Sequence, residues 1–201
     1  MEKSSLDTPT WISLLRHGTP EGGSRYRGWQ DDPLSAQGWQ EMAASVSRHD
    51  PWPLIITSPL CRCADFAHSM GKEWQAEVIV ETRFKEYFFG EWEGKTGEEL
   101  YAEDRQRLVR FWADPLNNPP PGGEHLEHLN HRVTAAWNDI IKCHKGERLL
   151  CVVHSGIMKA LVAHITLTPL THLSRLVFDH AALVSIRVDE VSGQEIPKLL
   201  F

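Results

Sequence analysis

Apolar positions along the chain fall into two alternating kinds of run. Short, almost wholly apolar stretches occur at 11–15 (WISLL), 54–57 (LIIT), 78–80 (VIV) and 149–153 (LLCVV). Between them, apolar residues recur every three or four positions: Trp39, Met42, Ala43 and Val46; then Leu60, Cys63, Ala67 and Met70; then Leu126, Leu129, Val133, Trp137, Ile140 and Ile141. The first pattern belongs to strands buried on both faces, the second to helices that bury one stripe. Their alternation predicts an α/β fold, a three-layer α/β/α sandwich around a mostly parallel sheet. Residues 157–166 read as a further helix. Residues 183–188 alternate instead, and are expected to pair with 196–200 across a Ser192-Gly193 turn, with Pro197 favouring an edge.

Boundary residues sharpen this outline. Ser35 is placed to cap the helix carrying Trp39, and Ser58-Pro59 reads as an N-cap followed by a first-turn proline. Thr96 and Glu99 fit a capping box for a helix reaching about residue 113. Gly146 stands just past the end of the long third stripe. Residues 18–33 and 114–123 (DPLNNPPPGG) are loops by composition, and the first ten residues read as a loose arm. One domain over 1–201 is expected, with residues 86–123 as a small cap insertion.

In parallel sheets, ligands bind outside the carboxyl ends of the strands. That rule turns strand order into a candidate site. The first strand ends at Arg16-His17-Gly18, the second at Ser58 with Arg62 in the following turn, and LLCVV at His154-Ser155-Gly156. Two guanidiniums and a helix N-terminus make an oxyanion site, for which phosphate is the natural guest. The same cations disfavour imidazolium at His17 and so keep a nucleophilic ring nitrogen. Phosphate monoesters hydrolyse very slowly unaided, so transferred charge must be stabilised and the leaving oxygen must receive a proton. Glu86, in RFKEYFFGEWEG, is the candidate acid, with Glu91, Glu93, Glu98 and Glu99 as nearby competitors.

Composition narrows the partners. The 201 residues hold 21 Lys and Arg against 27 Asp and Glu, a net charge of −6, which argues against bulk nucleic-acid binding but leaves room for a local basic pocket. No apolar run approaches the roughly 18 residues needed to cross a bilayer, and the N-terminal stretch lacks the apolar core of a signal peptide, so no membrane partner and a cytoplasmic location are expected. Four cysteines do not make a disulfide scaffold at this length. His125, His128 and His131 recur at helical spacing without a completing carboxylate or thiol, and read as a solvated face rather than a metal site. Tyr26, Trp29, Phe88 and Trp92 are candidates for an aromatic platform. His180 reads equally as a pocket residue or a structural one.

The motifs then assemble into a known pattern. Leu14-Leu15-Arg16-His17-Gly18, Arg25-Tyr26-Arg27-Gly28-Trp29, Thr57-Ser58-Pro59-Leu60-Cys61-Arg62, Phe84-Lys85-Glu86 and Val152-Val153-His154-Ser155-Gly156 resemble, in order, the motifs of the histidine phosphatase superfamily, which includes the cofactor-dependent phosphoglycerate mutases. The run RHGTPEGGSRYRGWQDDPLS looks closest to the α-ribazole 5′-phosphate phosphatases of the cobalamin pathway. This resemblance implies a phosphoglycerate mutase-like fold and a metal-independent phosphomonoesterase without a cofactor. His17 would carry a phosphohistidine, Arg16, Arg62 and His154 would grip the phosphoryl oxygens, and Glu86 would be the general acid and then the base. Gly23, Tyr26 and Arg27 would line the substrate side. A small phosphorylated metabolite would be the substrate and inorganic phosphate the product; a homodimer is compatible with the sequence. Two departures stand out: Thr19 occupies a place where the family often has Glu, and residues 20–23 offer no Asn, so backbone groups near Gly22-Gly23 are expected to serve instead. The chain stops at 198–201 without the tail that mutases of the family tend to carry over the site, which leads to the expectation of hydrolysis over isomerisation. A phosphoglycerate mutase is the alternative, and a silent phosphate-binding module on the same fold is a further one.

Overall fold

A computed structural model describes residues 8–200. Its centre is a six-stranded sheet built from β1 (Thr10–Arg16), β2 (Leu54–Thr57), β3 (Glu77–Val80), β4 (Arg148–Val153), β5 (Leu183–Val191) and β6 (Gln194–Leu200), in the order β3-β2-β4-β1-β5-β6. The first four strands run parallel. The β5–β6 hairpin joins antiparallel to β1, turns at Ser192-Gly193 and leaves β6, with its Pro197, at the edge.

The described residues form five α-helices, α1 (Ala36–Val46), α2 (Cys61–Trp74), α3 (Gly97–Ala113), α4 (Leu126–Cys143) and α5 (Ser155–Thr166), of which α1 and α2 pack on one face of the sheet and α4 and α5 on the other. Successive strand residues point to opposite faces, so each strand feeds two cores. Leu14, Ile56, Cys151 and Val153 pack with the stripes of α4 and α5. Leu15, Ile55, Leu150 and Val152 pack with Met42 and Val46 of α1 and with Cys63, Phe66 and Ala67 of α2. Each such buried aliphatic or aromatic side chain contributes about 1.5–3 kcal/mol, and this two-sided burial makes the three layers. Among the described residues, no helix is long and apolar enough to cross a membrane.

Several boundaries differ from the sequence expectation, each for a local reason. Ser35 does cap α1, its hydroxyl accepting the Gly38 N–H at 3.0 Å. The next helix, however, begins at Cys61 with Leu60 as its N-cap, not at Ser58-Pro59. The Ser58 hydroxyl is engaged by the Leu60 N–H and by His154, so its side chain serves the strand-end cluster rather than the helix. Ala43 is exposed, because the buried stripe of α1 runs through Gly38, Met42 and Val46. The expected arm is shorter at its inner end: Thr10 already belongs to β1 and its hydroxyl accepts the Gly146 N–H at 2.9 Å, while residues 1–7 lie outside the described residues. The Thr96–Glu99 capping box forms as read, and α3 is kinked at Asp104.

Candidate active site

Three parallel strands end at one sheet edge and bond there to one another. The His17 N–H donates to the Val153 carbonyl at 2.9 Å, and the Ser58 N–H to the Val152 carbonyl at 3.0 Å. Because β5 runs the other way, its start lies at this same edge, which brings in His180, its ring centroid 5.7 Å from that of His17. The loop after His17 lies directly on α1: a Cβ on Gly18 would stand 2.2 Å from the Gly38 carbonyl oxygen, and one on Gly38 would stand 2.2 Å from that of Thr19. Only two glycines permit that approach. Thr19 then fixes the loop, its N–H and hydroxyl both donating to the Glu41 carboxylate at 2.8–3.0 Å.

The edge encloses a cavity of about 540 Å³ whose wall includes Arg16, His17, Arg62, Glu86 and His180. His17 is 5 % exposed. Its Nδ1 lies 2.8 Å from the Gly18 carbonyl, which can only accept, so Nδ1 carries the proton and Nε2 carries the lone pair. Burial, then the Arg62 charge, hold the His17 pKa well below the ordinary imidazole value. His154 is fully buried beside it, ring centroids 5.2 Å apart, with Nε2 hydrogen-bonded to Ser58 Oγ at 2.7 Å. Burial and then Arg62 hold its pKa far down as well. His154 therefore meets the cavity through His17 rather than forming part of its wall.

The two arginines are anchored by backbone and still have donors in reserve. Arg62 donates to the Gly28 and Gln30 carbonyls at 2.7 and 2.8 Å, and Arg16 to the Phe178 carbonyl at 2.6 Å. The Nε–H of each is buried without a partner among the described residues. A buried charged donor left unsatisfied costs more than the roughly 1–3 kcal/mol of a neutral one, and both line the same cavity. An oxyanion there would satisfy both.

Glu86 is the carboxylate on this wall, and it is braced on every side. Its two oxygens accept the Tyr87 and Gly156 N–H groups at 2.8 and 3.1 Å. A Cβ on Gly156 would stand 2.3 Å from Glu86 Oε1, so the glycine after Ser155 admits the carboxylate. The Glu86 carbonyl accepts from Trp29 Nε1 and from Arg132. Arg132 also donates to the Arg83 and Lys85 carbonyls and holds Glu124 through two 2.8 Å bonds. The rival carboxylates are occupied or remote: Glu93 accepts the Trp29, Gln30 and Phe89 N–H groups, Glu99 closes the capping box, and neither Glu91 nor Glu98 lines the cavity.

Gly23, Tyr26 and Arg27 all reach the cavity wall. The Arg27 fork is committed to Asp32 at 2.9 Å and to the Gly23 and Glu21 carbonyls, so it shapes the loop. The aromatic wall differs from the sequence expectation. Tyr26 does face the cavity, but its companions are Phe89 and Trp112. Trp29 and Phe88 pair with each other at 4.9 Å away from that wall, and Trp92 is buried beneath it. Trp112 comes from α3, and its indole N–H donates to the Tyr26 hydroxyl at 3.0 Å. Sequence reasoning had no signal for Phe89 over Phe88, nor for Trp112, which sits at an ordinary helix position. It also passed over Arg132, whose value lies in contacts with carbonyls 46 to 49 residues away in sequence.

The two lowered histidines make stability depend on pH. An imidazole kept neutral in the fold titrates near 6.5 once unfolded, so the unfolded chain binds more protons below that pH. Stability is then fully present above about pH 6.5 and erodes as pH falls, by up to about 1.4 kcal/mol per unit for each ring until its own lowered pKa is reached. Urea midpoints are expected to drop between pH 7 and 5, and to drop less steeply in His17→Asn. A flat midpoint over that range would contradict the assignment.

The chain is similar to known proteins in sequence and in fold. A relative from Mycolicibacterium vanbaalenii, glucosyl-3-phosphoglycerate phosphatase, is 30% identical over 165 residues, covering 76% of this chain and 72% of its own. The adenosylcobalamin/alpha-ribazole phosphatase of Salmonella typhimurium is 26% identical over 166 residues, covering 80% and 81%. The solved structure of Bacillus stearothermophilus YhfR superposes with a TM-score of 0.82 at 28% identity, over 92% of this chain and 94% of that one. The chain spans about half the length of the first curated relatives it matches, mycobacterial proteins 32% identical over 186 residues. The profile of the histidine phosphatase superfamily (branch 1) matches residues 12–196, and the chain belongs to that family.

Proposed function

We propose that the chain is a phosphomonoesterase that works through a phosphohistidine on His17 and needs no metal, because Arg16 and Arg62 supply the positive charge. One observation carries this reading. The Gly18 carbonyl leaves the lone pair on His17 Nε2, in the same cavity as two unpartnered arginine Nε–H groups and one carboxyl group.

In the first step Nε2 attacks phosphorus and the bond from phosphorus to the ester oxygen breaks. Glu86 gives its proton to that oxygen, so the alcohol leaves neutral. Arg16 and Arg62 hold the equatorial oxygens as charge builds on them. In the second step water attacks phosphorus, its proton passes to the Glu86 carboxylate, the P–N bond breaks and inorganic phosphate leaves. His154, neutral and bonded to Ser58, packs edge-on against the nucleophile's ring and holds it in place. Residues 86–123 act as a cap, carrying both Glu86 and the Phe89–Trp112 wall. Arg25 and Trp112 stand at the mouth with substantial exposure, so water reaches the intermediate, which favours hydrolysis over return of the phosphoryl group to an acceptor.

The substrate is a small phosphorylated metabolite. α-Ribazole 5′-phosphate is the first candidate, from the likeness of residues 16–35 to that branch and from an aromatic wall suited to a flat base. The glucosyl-3-phosphoglycerate phosphatase relative adds a phosphorylated hydroxy acid as the second. Rapid acid-free quenching with a 32P-labelled ester should trap a phosphoenzyme that is stable in base and labile in acid, with turnover unaffected by EDTA. Turnover without any base-stable phosphoenzyme would sink the proposal.

A further inference from the structure

A second cavity, of about 170 Å³, adjoins the one at the arginines and shares Glu86, Phe89, Trp112 and Ser155 as common walls. Its remaining surface is largely apolar, from Phe111, Pro115, Leu126, Leu129 and Leu173. One cation lines it: Lys159, on α5 one turn beyond the Ser155-Gly156 pair that receives Glu86. Lys159 makes no hydrogen bond or ion pair with any described residue. The residue is half-buried on this largely apolar wall, and the opposite charge that acts on it is Glu86, with which it forms no ion pair. A cation shielded from water and left unpaired is unfavourable, and an anion delivered by a ligand would relieve it. Burial pulls the Lys159 pKa down and Glu86 opposes that, which places the two groups within electrostatic reach of one another.

The geometry points to this second cavity as the seat of the leaving alcohol, and to Lys159 as the residue that reads an anionic group, a carboxylate or a second phosphate, on that alcohol. The inference rests on the phosphatase reading above. If the phosphoryl group lies against Arg16 and Arg62 and the ester oxygen lies at Glu86, the carbon skeleton attached to that oxygen must continue past Glu86. The annex begins there. Its apolar surface accepts the skeleton, and the charge of Lys159 selects what the skeleton carries. Lys159 thereby separates the two candidate classes: a neutral nucleoside alcohol leaves the ammonium unpaired, and a hydroxy acid does not.

The test compares esters that share a skeleton: 2-carboxyethyl phosphate and propane-1,3-diyl bisphosphate against n-propyl phosphate. In the wild type, kcat/KM for at least one of the anionic esters should exceed that for propyl phosphate by about tenfold or more, the scale of a hydrogen bond to a charged group, and which one gains tells carboxylate from phosphate. Lys159→Met should bring that ratio close to one, Lys159→Glu should invert it, and Lys159→Arg should keep most of it. A wild-type ratio near one, or a ratio untouched in Lys159→Met, overturns the subsite. If no ester is hydrolysed, the phosphatase reading falls separately. Competitive binding then still decides the subsite: the anionic ester must bind the wild type more tightly than Lys159→Met, and equal affinities refute it.

Discussion

His17→Asn is expected to lower turnover by about four orders of magnitude or more, the loss that follows removal of a covalent nucleophile. Asparagine is the informative replacement. Its side-chain N–H can still donate to the Gly18 carbonyl, where His17 Nδ1 sits now at 2.8 Å, so the loop keeps its anchor while Nε2 disappears. The cavity keeps Arg16 and Arg62 with their unpartnered donors, so phosphate should still bind the variant. Catalysis and anion binding would then part company. No acid-labile phosphoenzyme should form in the variant. Residual turnover above about one-hundredth of the wild type would place the nucleophile elsewhere, since no other group on this wall combines a free lone pair with that position.

How far this site can be read from sequence depends on how local its causes are. Strand and helix spacing gives the layers, because burial on one or two faces leaves a periodic trace in consecutive residues. The strand-end rule then gathers Arg16, His17, Arg62 and His154, and the structure brings those four together. His180 enters by the same rule only once β5 is known to run antiparallel, a fact held in pairing rather than in its own residues. The departure at Thr19 has a physical answer in Glu41, on the far side of the helix start, which takes the Thr19 hydroxyl and N–H together. The bracing of Glu86 is the least legible part. Arg132 looks like any polar position on α4; its role exists only after three carbonyls from residues 83–86 converge on its guanidinium. Helix starts fail for a related reason. Ser58-Pro59 carries good local capping chemistry, but a buried imidazole competes for the hydroxyl and wins.

Glu86→Gln should separate the two chemical steps. Glutamine keeps an oxygen that can accept the Tyr87 or Gly156 N–H, and the backbone around it stays pinned by Arg132 through the residue 86 carbonyl, so the loop has reason to hold its place. What is lost is the proton and then the base. For an alkyl phosphate, whose alkoxide cannot leave without a proton, the first step should slow by about 10²- to 10⁴-fold. For p-nitrophenyl phosphate the leaving group needs no acid, so transfer to His17 should proceed at close to its normal rate. Hydrolysis of the phosphohistidine still needs a base for water, and that second step should become limiting. The expected trace is a burst of nitrophenol stoichiometric with enzyme, followed by slow steady turnover, with the acid-labile phosphoenzyme accumulating in parallel. Equal losses on both esters with no burst would remove Glu86 from proton transfer and leave it a purely structural carboxylate. The same measurement on Arg132→Met distinguishes a displaced acid from an absent one. A displaced carboxyl still carries a proton, so both steps should slow together, in contrast to the split that Glu86→Gln produces.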